Sequence, residues 1–413
     1  MSDLQQIESL IDKSEIKKAD VIIARLMRSN LAPKDLSTLL MFRARTRLLT
    51  GRPEDAINDL VSAQVSTNEF NTPVAQYLEL WGDAHFARFE LASVGFAERA
   101  DTLRAQEAYE QITKEYSNYA NIGWVHYQQG RIYLTQNNIK LAEERFHTSL
   151  ISASHVRYLT AYCYERLGFI AFYENRDIER SLAFLERAVN TYPHSEDSHW
   201  LVQTNMLCSR VYKAAGDNDR AIESAERALK LASTSHVEKR SLSEAILNIT
   251  ELFSSIQGHD KQALAYLEQF TQQTKRPPGA DVTWSRVYEM RGNAHFTLGQ
   301  YDDAISDYVT ALQFNPDHPW ELSLYQQIAR CQYKKHAYKE TIESINRLLN
   351  IAQQDGLGVE DYRVYELLGG AYFALKRYDE AIQAYQSALD IVPPNTEYGH
   401  QIRSYYNLAK ELI

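Results

Sequence analysis

Arg45, Arg131, Arg210 and Arg330 occupy one equivalent position in a frame that recurs along this 413-residue chain. A guanidinium presents a planar fork of donors, which suits bidentate bonds to a carboxylate or phosphate. Elsewhere that position holds Asp83, Phe169, Leu252, Asn293 and Gly370, so four of nine are arginine in a protein of net charge −10. Three residues further the frame holds Leu48, Phe86, Leu134, Phe172, Lys213, Ser255, Phe296, Tyr333 and Phe373. Arginines beside aromatic and aliphatic groups suit an extended peptide with acidic groups or a free terminal carboxylate. The plainer expectation for any single arginine is a partner Glu or Asp on an adjacent helix.

Other chemistry finds no footing. The chain has no His-Glu-x-x-His, no Cys-x-x-Cys, no Gly-rich phosphate loop with Lys and no nucleophile elbow. No metal, cofactor or catalytic set is therefore expected. His85 and His295 fall where the frame elsewhere has Tyr133, Tyr212 or Tyr372, which points to packing rather than metal ligation. Cys163, Cys208 and Cys331 lie in different repeats, and an odd, scattered count predicts buried free thiols. A reducing, cytoplasmic setting is expected, together with the absence of a basic, apolar leader at the first residues. No stretch approaches the ~20 apolar residues that span a bilayer. The acidic balance argues against nonspecific nucleic-acid binding, which needs a basic footprint.

The elements that must position these residues follow from the frame itself. It is clearest at Tyr365, Leu368, Gly369, Tyr372, Tyr378, Ala381, Tyr385, Ala388 and Pro393, and again at Tyr288, Gly292, Gly299, Tyr301, Ala304, Tyr308, Ala311 and Pro316. A first helix (helix A) carries large apolar residues and one small slot, Gly292 or Gly369. A polar turn leads to a second helix (helix B), where small Ala304 or Ala381 precedes a large Tyr308 or Tyr385 by four residues. Residues three and four apart share a helix face, so small slots admit a neighbour's large groups. Proline stops helix B because it lacks the amide donor. Equivalent slots fall at 44, 82, 130, 168, 209, 251, 292, 329 and 369, and a degenerate unit at 3–32 opens the series through Ile7, Ala19, Ile23 and Leu26.

This pattern closely resembles the tetratricopeptide repeat family, best over 285–317 and 362–394 and with gaps over nearly the whole chain. The resemblance implies an all-α, right-handed superhelical α-solenoid of about ten helix-turn-helix repeats. It also implies that helix A lines a concave groove. The slots lie 37 to 48 residues apart, above the usual period of roughly 34, so longer helices or turns are expected. Some family members carry a carboxylate clamp of Lys, Asn and Arg. Here Asn293 fills one of its places, but Glu289, Gln327 and Leu367 stand where other clamp residues belong, so the clamp is not reproduced.

The array is expected to span 1–395, bent at 271–284 by Pro277, Pro278 and Gly279, with a capping helix over 396–413 that covers the last repeat through Ile402, Tyr405, Tyr406 and Leu408. An insertion between Phe89 and Thr102 either lengthens both helices of its repeat or exposes Leu91, Val94 and Phe96 to a partner or a second copy. A homo-oligomer is thus left open. The expected function is a non-catalytic interaction scaffold that binds a protein or peptide in the groove, through Arg45, Arg131, Arg210, Arg330 and Asn293 with Phe172, Phe296, Tyr333 and Phe373. Alternatives are a bacterial peptide-sensing or partner-inhibiting regulator, and an enzyme with a helical-repeat active site. The regulator reading wants a DNA-binding module, and residues 1–35 are too short for one and show no basic recognition helix.

Overall fold

The computed structural model describes residues 2–65, 74–92, 99–193, 198–234, 239–256, 258–273, 279, 281–314, 321–393 and 395–413. Among these residues there are 21 helices and no strand. They fall into two compact units, Met1–Glu196 and Asp197–Ile413. The first unit holds α1 (Asp3–Asp12), α2 (Ile16–Leu26), α3 (Pro33–Leu49), α4 (Pro53–Val65), α5 (Val74–Leu91), α6 (Arg99–Glu115), α7 (Ile122–Thr135), α8 (Ile139–Ser152), α9 (Arg157–Tyr173) and α10 (Ile178–Thr191). The second holds α11 (Ser198–Ala214), α12 (Asn218–Thr234), α13 (Lys239–Ser255), α14 (Asp260–Gln273), α15 (Val282–Thr297), α16 (Tyr301–Phe314), α17 (Glu321–Lys334), α18 (Tyr338–Gln354), α19 (Tyr362–Ala374), α20 (Tyr378–Ile391) and α21 (Glu397–Glu411). Each odd-numbered helix up to α19 pairs with the even one that follows, giving ten hairpins and a final unpaired helix. Odd helices also touch one another, α3 on α5, α5 on α7 and α7 on α9 in the first unit, and α11 on α13, α13 on α15 and α17 on α19 in the second. Each unit therefore has an A layer of first helices and a B layer of second helices.

Size complementarity joins the two helices of a hairpin. A Cβ added at Gly292 would lie 2.7 Å from the Tyr308 ring, and one at Gly369 would lie 2.6 Å from Tyr385. Gly130 meets Phe146 at 2.6 Å, and Gly82 meets Tyr109 at 2.7 Å across the insertion. Where the helix B residue is smaller, the slot holds alanine: Ala44 shares a core cluster with Leu60, and Ala329 with Ile345. The rings are almost wholly buried, Tyr109 and Tyr308 completely. Burying such a side chain contributes about 1.5–3 kcal/mol, and it is realised only where the facing residue leaves room.

In seven hairpins the turn places one residue in the left-handed region seven residues after the small slot, and in the α9–α10 hairpin that residue is Arg176, eight after Gly168. Gly51, Gly216, Gly258 and Gly299 supply it in four hairpins with φ of 71° to 89°, while Asn137, His336 and Lys376 adopt it at φ of 57° to 61° without the glycine that makes it free of steric cost. Side-chain caps start several helices, including Asp281 on the amide of Trp284 and Asp361 on that of Arg363. Buried carboxylates tie A to B. Asp59 accepts from Arg43 and pairs with Arg47, and Asp307 accepts from Arg291 at 2.8 and 2.5 Å.

The insertion lengthens its hairpin: α5 runs 18 residues and α6 runs 17. Buried Asp101 joins the added turns, accepting from Arg88 Nε at 2.8 Å and facing His85 Nδ1 at 2.6 Å. Burial opposes the charge of Asp101, but the bonds from Arg88 and His85 hold its carboxyl below the usual value. Leu91 is exposed, and Val94 and Phe96 lie outside the described residues, as do Pro277, Pro278 and Pro316. At the other end α21 packs through buried Ile402 and Ala409 with Tyr406 alongside, and Tyr405 stacks on Tyr385. Leu408 departs from its expected covering role. It is 43% exposed because it sits on a different stripe of the helix.

Gly369→Ala is expected to lower stability by about 1–2 kcal/mol, since the overpacking cost exceeds the gain in helix propensity. Lys376→Gly, seven residues on, is expected to raise it by about 0.5–1 kcal/mol by relieving the left-handed turn. Urea midpoints of the two variants should move in opposite directions, and a shift in the same direction would contradict the socket and turn assignments.

Candidate functional site

Three rows of side chains cross the A layer of the second unit. Along α15, α17 and α19 the first row is Glu289, Gln326 and Glu366, the second is Asn293, Arg330 and Gly370, and the third is Phe296, Tyr333 and Phe373. Within each helix the rows are four and three residues apart, so they share one face. Neighbouring helices are linked across the rows, because the Arg330 guanidinium lies 4.7 Å from the Phe296 ring centroid. Asn293 Oδ1 accepts from the Tyr308 hydroxyl at 2.7 Å.

The charged members of these rows are largely uncommitted. Arg330 is exposed and, among the described residues, donates only to Gln327 Oε1, at 2.8 Å. Lys334, one turn further, is exposed and has no ion pair among the described residues. Glu289 and Glu366 are half-buried and make no hydrogen bond or ion pair among the described residues. Burial raises both carboxyls above the usual value, against the opposing pull of Arg286 on Glu289 and of Arg363 on Glu366. Arg363 is itself bonded to Asp361 at 3.0 Å. Two hollows open on this face. One of about 660 Å³ is lined by residues of α17, α19 and α21 with Tyr385 at its base. A second of about 570 Å³ lies between α13 and α15, where Arg286 pairs with Glu251 beside Glu289, Met290 and Asn293. Arg210, on α11 of the same unit, is exposed and unpaired among the described residues.

The first unit presents the same frame with its arginines and most of its carboxylates internally bonded. Arg131 pairs with Glu90, donates to Gln128 at 2.9 Å and lies over the Phe86 ring at 4.9 Å. Arg45 reaches Asp12 at 3.1 Å. Glu165 is buried and takes two bonds from Arg166, at 2.6 and 3.1 Å. Phe172 packs edge-on to Tyr173 at 4.8 Å. Asp83 accepts from Tyr109 at 2.5 Å, Gln128 at 3.0 Å and the Trp124 indole at 3.2 Å. One turn before it, Glu79 takes a bond from Asn121 at 3.4 Å, and its Oε2 is buried without a hydrogen bond among the described residues. Burial and the neighbouring Asp83 push the Glu79 carboxyl up to about 8.

The acidic row is not among the expected contact positions, and Glu289 enters the expectations only as a residue that breaks the carboxylate clamp. Its signal was present: three residues before the small slot the chain has Glu79, Glu165, Glu289 and Glu366. The three cysteines are buried free thiols as expected, and burial raises the thiols of Cys163 to about 12 and Cys331 to about 11. Among the described residues no group of three or more His, Cys, Asp or Glu is placed to hold a metal ion, and no helix is long and apolar enough to cross a membrane.

The tetratricopeptide repeat family models match three stretches, residues 202–235, 285–318 and 362–395. Each coincides with an A–B hairpin of the second unit. The chain is a tetratricopeptide-repeat protein. It is 29% identical over 117 residues to RNA polymerase II-associated protein 3 of Homo sapiens, a match that spans 28% of this chain and 16% of that protein. It is 28% identical over 123 residues to Hsp70-Hsp90 organizing protein 3 of Arabidopsis thaliana, spanning 30% of this chain and 20% of that protein. The repeats thus match only a minor part of either relative's length. Among solved structures, the apo form of the quorum sensor NprR from B. thuringiensis superimposes with a TM-score of 0.55 at 14% identity, over 76% of this chain and 86% of that one. That likeness is one of fold.

The Glu79 proton gives the first unit a defined pH dependence. Its carboxyl titrates near 8 in the folded chain and near 4.3 when unfolded, so the folded state binds the extra proton between those values. Stability from this group is full below the unfolded value, falls as pH rises through the folded one and is flat above it. Glu79→Gln should therefore flatten the decline in melting temperature between pH 6 and 9 and leave the variant a few degrees more stable than the parent at pH 9. An unchanged slope would exclude this assignment.

Proposed function

We propose that this tetratricopeptide-repeat protein is a non-catalytic scaffold, and that the A-layer face of its second unit binds an extended segment of a partner protein. The observation that carries this reading is the contrast in how the recurring charges are used. In the first unit Arg45, Arg131 and Glu165 have ion-pair partners, whereas Arg210, Arg330, Lys334, Glu289 and Glu366 of the second make no ion pair among the described residues. For half-buried Glu289 and Glu366 the missing ion-pair partner costs free energy, and a ligand that supplies one recovers it, while the exposed arginines and Lys334 are free to reach its acidic groups. The rows are held on rigid helices, so little ordering of the protein is needed on binding. The likeness to an Hsp70-Hsp90 organizing protein supports an interaction role at the level of the repeat. Arg210 and Arg330 are the arginines this reading assigns to ligand contact, with Asn293, Phe296, Tyr333 and Phe373 beside them. Arg45, Arg131 and Phe172 are assigned to the structure of the first unit.

A photo-crosslinking side chain placed at Asn293 should capture the partner in extracts of the native host. The same group at Glu343, exposed on α18 in the B layer, should not. Arg330→Glu should reduce capture at least tenfold with an unchanged melting temperature. Capture from the α18 position alone, or indifference to Arg330→Glu, would contradict the reading.

A further inference from the structure

The 660 Å³ hollow of the second unit has a composition that specifies what it takes. We propose that it anchors one large apolar side chain of the bound segment, with an acidic group of that segment beside Arg330 and Lys334 and a basic group beside Glu366. This inference rests on the binding reading above and names the chemistry of its ligand.

Room comes first. The arginine position of the frame is Gly370 in α19, and a Cβ there would come within 2.8 Å of the Tyr333 hydroxyl. The missing side chain lets Tyr333 close on the α19 backbone, so its ring lines the hollow beside Gly370 where a longer side chain would displace it. One wall is then built by the last helix. Gln401, Tyr405 and Leu408 are spaced four and three apart and line the hollow, whereas Ile402, Tyr406 and Ala409 form the stripe that seats α21 on its repeat. Tyr405 and Leu408 are 40% and 43% exposed, so α21 offers its apolar side to the hollow after its packing needs are met. With Tyr333 and Phe373 opposite, an apolar group entering here is enclosed on several sides.

Charge comes second. Among the described residues Arg330 and Lys334 on α17 make no ion pair with a carboxylate, and Glu366 on α19 makes none with a cation, its nearby Arg363 being bonded to Asp361. The remaining charges of the hollow are already used: Arg363 binds Asp361, which also accepts from Gln326 at 2.8 Å. Opposite unpaired charges thus face the hollow from adjacent helices. Packed helix axes lie about 8–10 Å apart, and three residues of extended chain span about 10 Å. A segment with an acid and a base three residues apart and an apolar residue between them satisfies both ends at once. A base bound to Glu366 would also favour the ionised carboxylate and draw the raised carboxyl back toward its ordinary range.

The test uses fluorescein-labelled hexapeptides Gly-Asp-X-Gly-Lys-Gly, acetylated or labelled at one end and amidated at the other, with fluorescence anisotropy against the full chain. The peptide with X as Phe should bind at least tenfold more tightly than that with X as Ala. Leu408→Trp, which fills the hollow from an exposed position, should remove that preference, and so should Leu408→Glu, which serves if the larger ring disturbs α21. Glu366→Gln should abolish the advantage of Lys over Gly at the fifth position. Equal binding of the Phe and Ala peptides, no binding of either to the parent protein, or indifference to both Leu408 variants would overturn the anchor. If Arg330→Glu still prevents capture at Asn293 while the Leu408 variants change nothing, the anchor falls and the binding face stands. If neither matters, both fall.

Discussion

The approach of one glycine to one ring is the contact on which the rest of this molecule depends. Gly82, Gly130, Gly292 and Gly369 each leave space that a single added carbon would take from Tyr109, Phe146, Tyr308 or Tyr385. The contact sets how closely the two helices of a hairpin lie and how they are rotated about their axes. Rotation in turn decides which side chains face the core and which face outward from the A layer. The rows across α15, α17 and α19 are a by-product of that rotation. Once Gly292 and Gly369 are seated on their rings, residues one and four positions later must emerge on the open face, and residues three positions earlier emerge beside them.

The same frame serves two ends because charge use is not part of the socket. In the first unit the outward positions are tied into the fold: Asp83 gathers donors from Tyr109, Trp124 and Gln128, and Arg131 is held by Glu90 and by two rings. In the second unit the equivalent positions end in unpaired Arg330 and Glu366 around an open hollow. A half-buried carboxylate such as Glu366 is costly without a partner, and a ligand that supplies one recovers that cost. The final helix contributes to both ends at once, sealing the last repeat with Ile402 and lining the hollow with Tyr405 and Leu408.

Much of the fold was legible in the residues. The offset of sixteen between Gly292 and Tyr308, and between Gly369 and Tyr385, is a packing rule written in the chain, and the matched repeats at 285–318 and 362–395 start where that rule places them. The left-handed turn seven residues after the slot was readable at Gly299 and hidden at Lys376, where no glycine marks it. The site was legible in position but not in state. Whether Arg131 is free depends on Glu90, 41 residues away on another helix, and whether Arg45 is free depends on Asp12, 33 residues away. Neither distance is visible before the helices are packed. Glu366 and Leu408 resemble ordinary surface residues until Gly370 and α21 are seen to enclose a volume between them.

Hydrogen exchange of the full chain with and without its captured partner tests the central claim most directly. The account predicts slowed exchange in α15, α17, α19 and α21, with α16, α18 and α20 unchanged. Protection confined to the B-layer helices, or to the first unit, would contradict it.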